Sequence, residues 1–264
     1  EAMHGMGYSE PQAGSDLAAL RTSAVRDGDH WLINGQKIWT TTWWGKYMFL
    51  AARTDKDAKP PHAGISMFIV PMDAPGITIR PSATMYDGTF ANIFYDNVRI
   101  PAENLVGEEG KGYKIAIEIL NEGRVGIGAQ MVGLAQGAFD RGMQYTFERE
   151  QFGKPLAKFQ GMQFQMAQIA TEIEAARNMV YNAARRKEEG RSFTKEAAMA
   201  KLFSSQVAQR AVGSAIEWAG GQGFTREQGI EKYWRDSKIG AIYEGTSNIQ
   251  LNTIFNLTAK EKGF

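Results

Sequence analysis

The chain of 264 residues contains no cysteine, which excludes disulfide bridges, thiolate metal ligands and cysteine nucleophiles. Histidine is scarce, and the three present, His4, His30 and His62, lie too far apart in the sequence to suggest a metal site. An excess of one charge is also lacking, since 30 basic and 29 acidic residues give a net charge of +1. We therefore expect no binding surface for nucleic acid.

Long apolar runs are absent too, so the sequence predicts no membrane-spanning helix. The chain starts at Glu1 without a signal-peptide pattern and is expected to be a fragment or a processed product. The lack of a visible targeting segment predicts a bacterial cytoplasm, or the mitochondrial matrix if the source is eukaryotic. What is present, 43% hydrophobic and 22% charged residues, is typical of a globular protein of one or two domains.

The first hundred residues have the composition of β-strands. The run 31–35 has strand residues and ends in the pair Asn34-Gly35, and a second run follows at 37–41. This pattern predicts a β-hairpin with its turn at the Asn-Gly pair. Further strands are predicted at 47–53, 65–71, 77–80 and 91–100. Because glycine and proline separate these runs, we expect a compact antiparallel β-barrel or sandwich.

After Pro101 the apolar residues recur at helical spacing. Four helices are predicted: 117–138, 162–183, about 194–218, and one beginning after Gly245. Long antiparallel helices with such stripes pack into a bundle. The predicted fold is therefore α+β, with a β domain at 1–104 and a C-terminal four-helix bundle at 105–264.

The segment 242–250 places a carboxylate after an apolar pair and just before a glycine and two hydroxyl residues. Burial among apolar side chains raises the pKa of a carboxylate, as Glu244 would need in order to remove a weakly acidic C–H proton. The free N–H groups of the next helical turn suit a phosphate or another anion. A second interpretation makes Glu244 an N-terminal helix charge and Thr246 an ordinary cap.

Arg124 interrupts the apolar stripe of the first predicted helix. A lone cation among aliphatic side chains is unfavourable unless it is paired. One interpretation is a buried salt bridge with Glu122 or with a glutamate of another helix. The other is a cation at the mouth of a ligand pocket.

Five stretches resemble, in the same order, motifs of the acyl-CoA dehydrogenase family. They are GYSEPQAGSD at 7–16, WTT at 39–41, REQFG at 149–153, EWAGGQGF at 217–224 and YEGT at 243–246. The second half is similar to the short/branched-chain members through LNEGR at 120–124 and the run 242–251. Members of the family usually begin with an N-terminal helical domain, which we do not find in this sequence.

The resemblance implies an enzyme that uses FAD to convert an acyl-CoA thioester into the trans-2-enoyl-CoA and passes the electrons to an electron-transfer flavoprotein. Glu244 would remove the α-proton while the β-hydrogen leaves as a hydride. In isovaleryl- and long-chain-type members the base lies beside the arginine of the bundle helix, where this chain has Gly123. Two other functions stay open, an acyl-CoA oxidase and a non-catalytic subunit that supplies FAD contacts to a partner chain.

The same resemblance implies the site residues. Those expected to bind FAD are Tyr8, Ser9, Ser15, Trp39, Thr40, Thr41, Arg149, Gln160, Glu217, Gly220, Gly221, Thr246, Ser247 and Asn248. Those expected to contact the acyl-CoA are Ser15, Tyr113, Asn121, Arg124 and Gly245. Because Arg149, Gln160 and the turn after Glu217 would reach the FAD of a neighbouring subunit, a homotetramer (a dimer of dimers) is implied, and no metal is.

Taken alone, several of these residues have simpler interpretations. Trp39 fits a strand aromatic in the core, and Arg149 fits a surface ion pair. Gly220 and Gly221 fit an ordinary turn. Tyr113 fits a core aromatic whose hydroxyl reaches the surface.

Overall fold

A computed structural model describes residues 3–264, which fall into two compact units. The first ends at Ile119, and the second is Leu120–Phe264. The division lies later than the domain boundary predicted at 104, because the first long helix starts within the first unit. There the ring of Tyr113 packs against that of His62, with centroids 5.1 Å apart.

The first unit is built on one eight-stranded sheet. Its strands are β1 (His4–Gly7), β2 (Ser23–Asp27), β3 (His30–Thr40), β4 (Tyr47–Arg53), β5 (Ile65–Pro71), β6 (Ile77–Ala83), β7 (Thr89–Pro101) and β8 (Leu105–Val106). The strand order is β6-β7-β3-β2-β4-β5-β8, with β1 paired to β4. Most neighbouring strands are antiparallel as predicted, but β4 is parallel to β1 and, at one residue pair, to β2. The sheet is therefore mixed, and a closed barrel is not shown.

Alternate residues of the central strands form the core of this sheet. Ile33 of β3 and Met48 and Leu50 of β4 have no exposed surface, as expected when side chains alternate between the two faces of a strand. Trp31 packs edge-on against Phe68 of β5, with ring centroids 5.2 Å apart. This core holds β3 and β4 in place, and β3 carries Trp39 and Thr40 of the predicted site residues.

The Asn-Gly pair that was predicted to form a hairpin turn lies inside a strand, so that prediction is wrong. β3 continues through it, and its register against β7 shifts between Ile33 and Gly35, as in a β-bulge. Gly35 has a φ of 150°, and a Cβ there would lie 2.5 Å from Oγ1 of Thr22. The turn that reverses the chain is instead at Gly28, with a φ of 60°, between β2 and β3.

The second unit is helical. Its long helices are α1 (Gly112–Glu148, which starts in the first unit), α2 (Gln160–Glu188), α3 (Thr194–Ala219) and α5 (Ser247–Glu261); α4 (Ile230–Ser237) is short, and β9 (Glu150–Gln151) pairs with β10 (Lys154–Pro155). The α+β class is thus confirmed, whereas the count of four helices is not, because α4 was not predicted. None of the helices in residues 3–264 has both the length and the apolar character needed to cross a membrane.

The apolar stripe predicted for α2 is buried. Its buried members are Met166, Ile169, Ile173, Ala176, Val180 and Ala183, and its first member, Met162, is half-buried. These side chains pack with Met131 and Phe139 of α1 and with Val207 and Trp218 of α3. Full burial of one large aliphatic or aromatic side chain stabilises a fold by about 1.5–3 kcal/mol. The shared core therefore fixes how α1 and α3 face each other, and the site lies on these two helices and the segment before α5.

Candidate active site

The segment that leads into α5 has an unusual backbone. Glu244 has a φ of 55° and Gly245 a φ of 89°, so two consecutive residues are left-handed. For a glutamate this conformation is uncommon and unfavourable. Thr246 then caps α5, as predicted, with its Oγ1 accepting a hydrogen bond from the backbone N of Ile249 at 3.4 Å. Glu244 lies before the cap and outside the first turn, so its interpretation as an N-terminal helix charge is wrong.

The side chain of Glu244 reaches α1 at Gly123. A Cβ on Gly123 would lie 2.5 Å from Oε2 of Glu244 and 3.0 Å from its Cδ. Glycine is therefore what gives the carboxylate room. Oε2 is buried and has no hydrogen-bond partner in the described part of the chain. A buried carboxylate oxygen without a hydrogen-bond partner destabilises the folded state, and such groups are found preferentially at functional sites.

Arg124 is only 5% exposed and lies beside the same segment. Its Nη1 donates a hydrogen bond to Oδ1 of Asn121 at 2.9 Å, and Nδ2 of Asn121 donates to Oγ1 of Thr194 at 3.3 Å. The Nη2 atom lies 3.7 Å from where a Cβ on Gly245 would be. Asn121 and Thr194 therefore orient the guanidinium toward the segment that carries Glu244.

The salt bridge suggested between Arg124 and Glu122 is wrong. Glu122 is exposed and pairs with Lys187 of α2 at 2.9 Å. Burial lowers the pKa of Arg124, while the charge of Glu244 raises it. The charge that faces Arg124 is thus that of the proposed base.

Lys201 of α3 completes the cluster, and the sequence analysis did not identify it. The residue has no exposed surface, and its Nζ donates a hydrogen bond to the carbonyl O of Gly245 at 2.6 Å. Nε2 of Gln250 donates to the same carbonyl at 2.8 Å and to that of Glu244 at 3.2 Å. The sequence shows that Lys201 follows Ala197 by about one helical turn, so the two share a face of α3, but only the structure shows that this face is buried.

Burial raises the pKa of Glu244, and the charges of Arg124 and Lys201 lower it by less than burial raises it. Burial and repulsion from Arg124 lower the pKa of Lys201 to about 8, against the attraction of Glu244. Burial and the charge of Glu244 raise the pKa of Tyr243 to about 12. A carboxylate with a raised pKa is a stronger base than an ordinary carboxylate, and the two cations can stabilise negative charge that develops beside it.

In the first unit, a buried ion pair holds the loop 8–16. Oε1 of Glu10 accepts a hydrogen bond from Nζ of Lys37 at 2.7 Å, and these side chains are 3% and 0% exposed. The backbone N atoms of Arg21 and Thr22 donate to the same carboxylate at 2.6 and 2.8 Å, and Lys37 also donates to the carbonyl O of Tyr8 at 3.0 Å. Burial raises the pKa of Glu10, but the charge of Lys37 and these hydrogen bonds together bring it down to about 2. The loop is thereby fixed to β3.

The same loop meets the end of β3, where Trp39 and Thr40 lie. The carbonyl O of Ser9 accepts a hydrogen bond from the backbone N of Ile38 at 3.0 Å. Trp39 has a φ of 61° and is 61% exposed, so its interpretation as a core aromatic is wrong. Oγ1 of Thr40 is buried and has no hydrogen-bond partner among residues 3–264. An exposed indole next to an unpartnered hydroxyl suits a planar ring with a polar edge.

The other predicted site residues are spread over the two units. In the first unit Tyr8 is buried, Ser9 and Tyr113 are half-buried, and Ser15 and Thr41 are exposed. In the second unit Ser247 is half-buried, and Arg149, Gln160, Glu217, Gly220, Gly221 and Asn248 are exposed. The structure thus brings Asn121, Arg124, Glu244 and Gly245 together, whereas the predicted site residues Arg149, Gln160, Glu217, Gly220 and Gly221 lie at the surface. Within residues 3–264, no group of three histidine, aspartate or glutamate side chains is arranged to hold a metal ion.

Two family models match the chain. The model described as acyl-CoA dehydrogenase, C-terminal domain, matches residues 110–256, and the model described as acyl-CoA dehydrogenase, middle domain, matches residues 5–98. Among curated proteins, the mitochondrial short/branched chain specific acyl-CoA dehydrogenase of Rattus norvegicus is 47% identical over 93% of this chain. The chain spans 57% of the length of that relative.

Solved structures resemble both units. Butyryl-CoA dehydrogenase from Megasphaera elsdenii superposes with a TM-score of 0.95 and 38% identity, covering 97% of this chain and 68% of that one. A structure described as the electron transferring flavoprotein of Acidaminococcus fermentans gives a TM-score of 0.95 and 40% identity, with coverage of 97% and 68%.

Proposed function

The chain belongs to the acyl-CoA dehydrogenase family, and we propose that the whole protein oxidises acyl-CoA thioesters to their trans-2-enoyl-CoA products with FAD. The observation that carries this proposal is Glu244, a buried carboxylate with a raised pKa and an unpartnered Oε2 beside Gly123. Short- or branched-chain acyl-CoA is the substrate class we propose, because the rat and Megasphaera relatives are named for that class.

The residues of the first unit fit a flavin. Trp39 exposes its indole, and beside it the buried hydroxyl of Thr40 has no partner among the described residues. The loop fixed by Glu10 and Lys37 meets the same end of β3 through Ser9. These residues would hold the ring and its polar edge, and the bound FAD would accept the β-hydrogen of the substrate as a hydride.

Glu244 supplies the proton chemistry. Its raised pKa reduces the difference in pKa between the carboxyl group and the weakly acidic α C–H, and this lowers the barrier to proton transfer. The carboxylate of Glu244 is the group that accepts the proton, and its buried Oε2 has no hydrogen-bond partner in the described part of the chain. Once Glu244 is neutral, the charges of Arg124 and Lys201 are no longer balanced by it. They would then stabilise the negative charge that develops on the thioester.

An anaerobic titration tests this function. The full-length protein, reconstituted with FAD, is mixed with a panel of acyl-CoA thioesters while the visible absorbance of the flavin is followed. We expect bleaching by short or branched substrates, and its loss in Glu244→Gln, which keeps the shape of the side chain but cannot act as a base. Full FAD binding without bleaching by any thioester would contradict the proposal and favour a non-catalytic subunit. Rapid reoxidation by oxygen rather than by an electron-transfer flavoprotein would indicate an oxidase.

We further propose that the protein assembles as a homotetramer in which Arg149 and Gln160 reach the FAD of a neighbouring subunit. Both residues are exposed and lie close in sequence to a set of exposed phenylalanines. Phe152 and Phe164 are 93% and 65% exposed, and Phe147 is 53% exposed and lines a groove of about 350 Å³. Exposed apolar side chains in such numbers are typical of a protein–protein interface.

A further inference from the structure

The proposed reaction uses the charge of the buried Lys201 but does not explain the hydrogen bond that its Nζ makes to the backbone. Its neighbours on the buried face of α3 include Ala197, Ser204 and Ser205. A charge buried among small side chains is unfavourable unless it is paired. Its Nζ is directed at the backbone and donates a 2.6 Å hydrogen bond to the carbonyl O of Gly245. The lysine is therefore tied to the chain segment that carries the base.

The backbone segment that Lys201 contacts has a left-handed conformation. Glu244 and Gly245 have φ values of 55° and 89°, and the peptide after Gly245 leads into α5. The carbonyl of Gly245 accepts hydrogen bonds from both Lys201 and Gln250, at 2.6 and 2.8 Å. Two donors on one carbonyl restrict the rotation of that peptide group. Because this peptide lies one residue after the base, its orientation helps to set the direction in which the Glu244 side chain leaves the backbone.

Lys201 also contributes to the charge around the base. The titratable groups near it are Arg124 of α1 and, in the segment before α5, Glu244 and its neighbour Tyr243. Burial and Arg124 bring the pKa of Lys201 down to about 8, against the attraction of Glu244. While it is charged, Lys201 lowers the pKa of Glu244. Removing the charge should raise the pKa of Glu244 further.

We propose that Lys201 is a positioning residue for Glu244. The ammonium of Lys201 holds the Gly245 carbonyl and so keeps the left-handed turn that directs the Glu244 carboxylate toward the substrate. The aim at substrate rests on the proposed function of Glu244, but the contact with Gly245 does not depend on flavin or substrate. The role of Glu244 as the base and the role of Lys201 in holding the turn can therefore be tested independently.

Hydrogen–deuterium exchange of the full-length protein tests the contact. In Lys201→Met, which has nearly the same shape and no charge, we expect the amides of residues 243–250 to exchange at least about tenfold faster than in the wild type. Lys195→Met is the matched control. Lys195 lies on the same helix and pairs with Glu261, so its loss should leave this segment unchanged. Wild-type exchange over 243–250 in Lys201→Met would overturn the proposal.

The pH profile of flavin reduction tests the effect on the base. In Lys201→Met the fall in rate toward acidic pH should begin at a higher pH than in the wild type, because the pKa of Glu244 has risen. In Lys201→Gln an amide donor remains without the charge, so exchange should stay slower than in Lys201→Met while the pH profile still shifts. An unshifted profile in both variants would overturn the role in positioning and tuning the base.

If Lys201→Met no longer unfolds cooperatively, Lys201→Gln replaces it in both experiments. Wild-type amide exchange over residues 243–250 together with a wild-type pH profile of flavin reduction in Lys201→Gln would then overturn the proposal. If the wild-type flavin is not bleached by any thioester, the proposed function fails, while the exchange comparison still decides whether Lys201 holds the turn.

Discussion

Gly123 is the residue that leaves space for the Glu244 carboxylate, and an alanine there tests how closely that space is fitted. Its Cβ would lie 2.5 Å from Oε2, which is the end of a flexible side chain. The helix should therefore still form, with up to about 1 kcal/mol gained from replacing a helical glycine. The carboxylate must move instead, and we expect Gly123→Ala to slow flavin reduction by acyl-CoA at least about tenfold. Stopped-flow absorbance and thermal unfolding measure the two effects.

Gly133 provides the control for that variant. It lies in the same helix, α1, and a Cβ there would meet nothing within 4 Å. Gly133→Ala should gain similar stability and keep the wild-type rate. Equal rates of flavin reduction in the two variants would show that Glu244 does not depend on the space at Gly123.

Among the elements, β3 depends on a glycine that the sequence analysis assigned to the wrong structure. A Cβ on Gly35 would lie 2.5 Å from Oγ1 and 2.7 Å from Cα of Thr22, and the Cα cannot move without shifting the backbone before β2. We expect Gly35→Ala to lower the free energy of unfolding by more than about 2 kcal/mol, through crowding as well as backbone strain. Urea unfolding followed by tryptophan fluorescence measures the change.

Gly28 separates crowding from strain. It also has a positive φ, 60°, but a Cβ there would meet nothing within 4 Å. Gly28→Ala should therefore cost only the strain, about 1 kcal/mol. If Gly35→Ala costs no more than Gly28→Ala, the close approach to Thr22 is not what requires glycine in the bulge.

Elements with a strong local pattern were predicted, and elements that depend on distant partners were not. β4 and β5 were predicted with their observed bounds, 47–53 and 65–71, because each is a mostly apolar run. β1, with the sequence HGMG, has two glycines and little strand propensity, and it forms by pairing in parallel with β4. The Asn-Gly pair has the composition of a hairpin turn, but the pairing of β3 with β7 on one side and β2 on the other makes it a bulge.

For the whole molecule, the predictable part of the site is the part that carries a motif. Glu244 was identified from the YEGT stretch, and Arg124 from its place in an apolar stripe. Lys201 and Gln250 were missed, because these residue types in a helix are usually on the surface, and only the fold turns them toward the carbonyl of Gly245. The predicted FAD-binding residues from 149 to 221 stay exposed in the single chain.

That exposure leads to a prediction about the assembly. If Arg149 acts on the FAD of a neighbouring subunit, Arg149→Ala and Glu244→Gln damage a site from two different chains. Each variant alone should have little activity. Co-expressed in equal amounts, they should form mixed oligomers in which about a quarter of the sites combine an intact Arg149 with an intact Glu244. Acyl-CoA-dependent flavin reduction in the purified mixture should then approach that fraction of the wild-type amplitude.

The control is a mixture of the two variants purified separately and combined under conditions in which subunits do not exchange. It should show only the mean of the two residual activities, because no shared sites form. Arg149 is exposed and Glu244 is enclosed by α1, α3 and the start of α5, so a second copy of the chain is the natural way for both to act on one cofactor. If the co-expressed mixture were no more active than the control, Arg149 would serve its own chain or none, and the exposed phenylalanines near it would need another explanation.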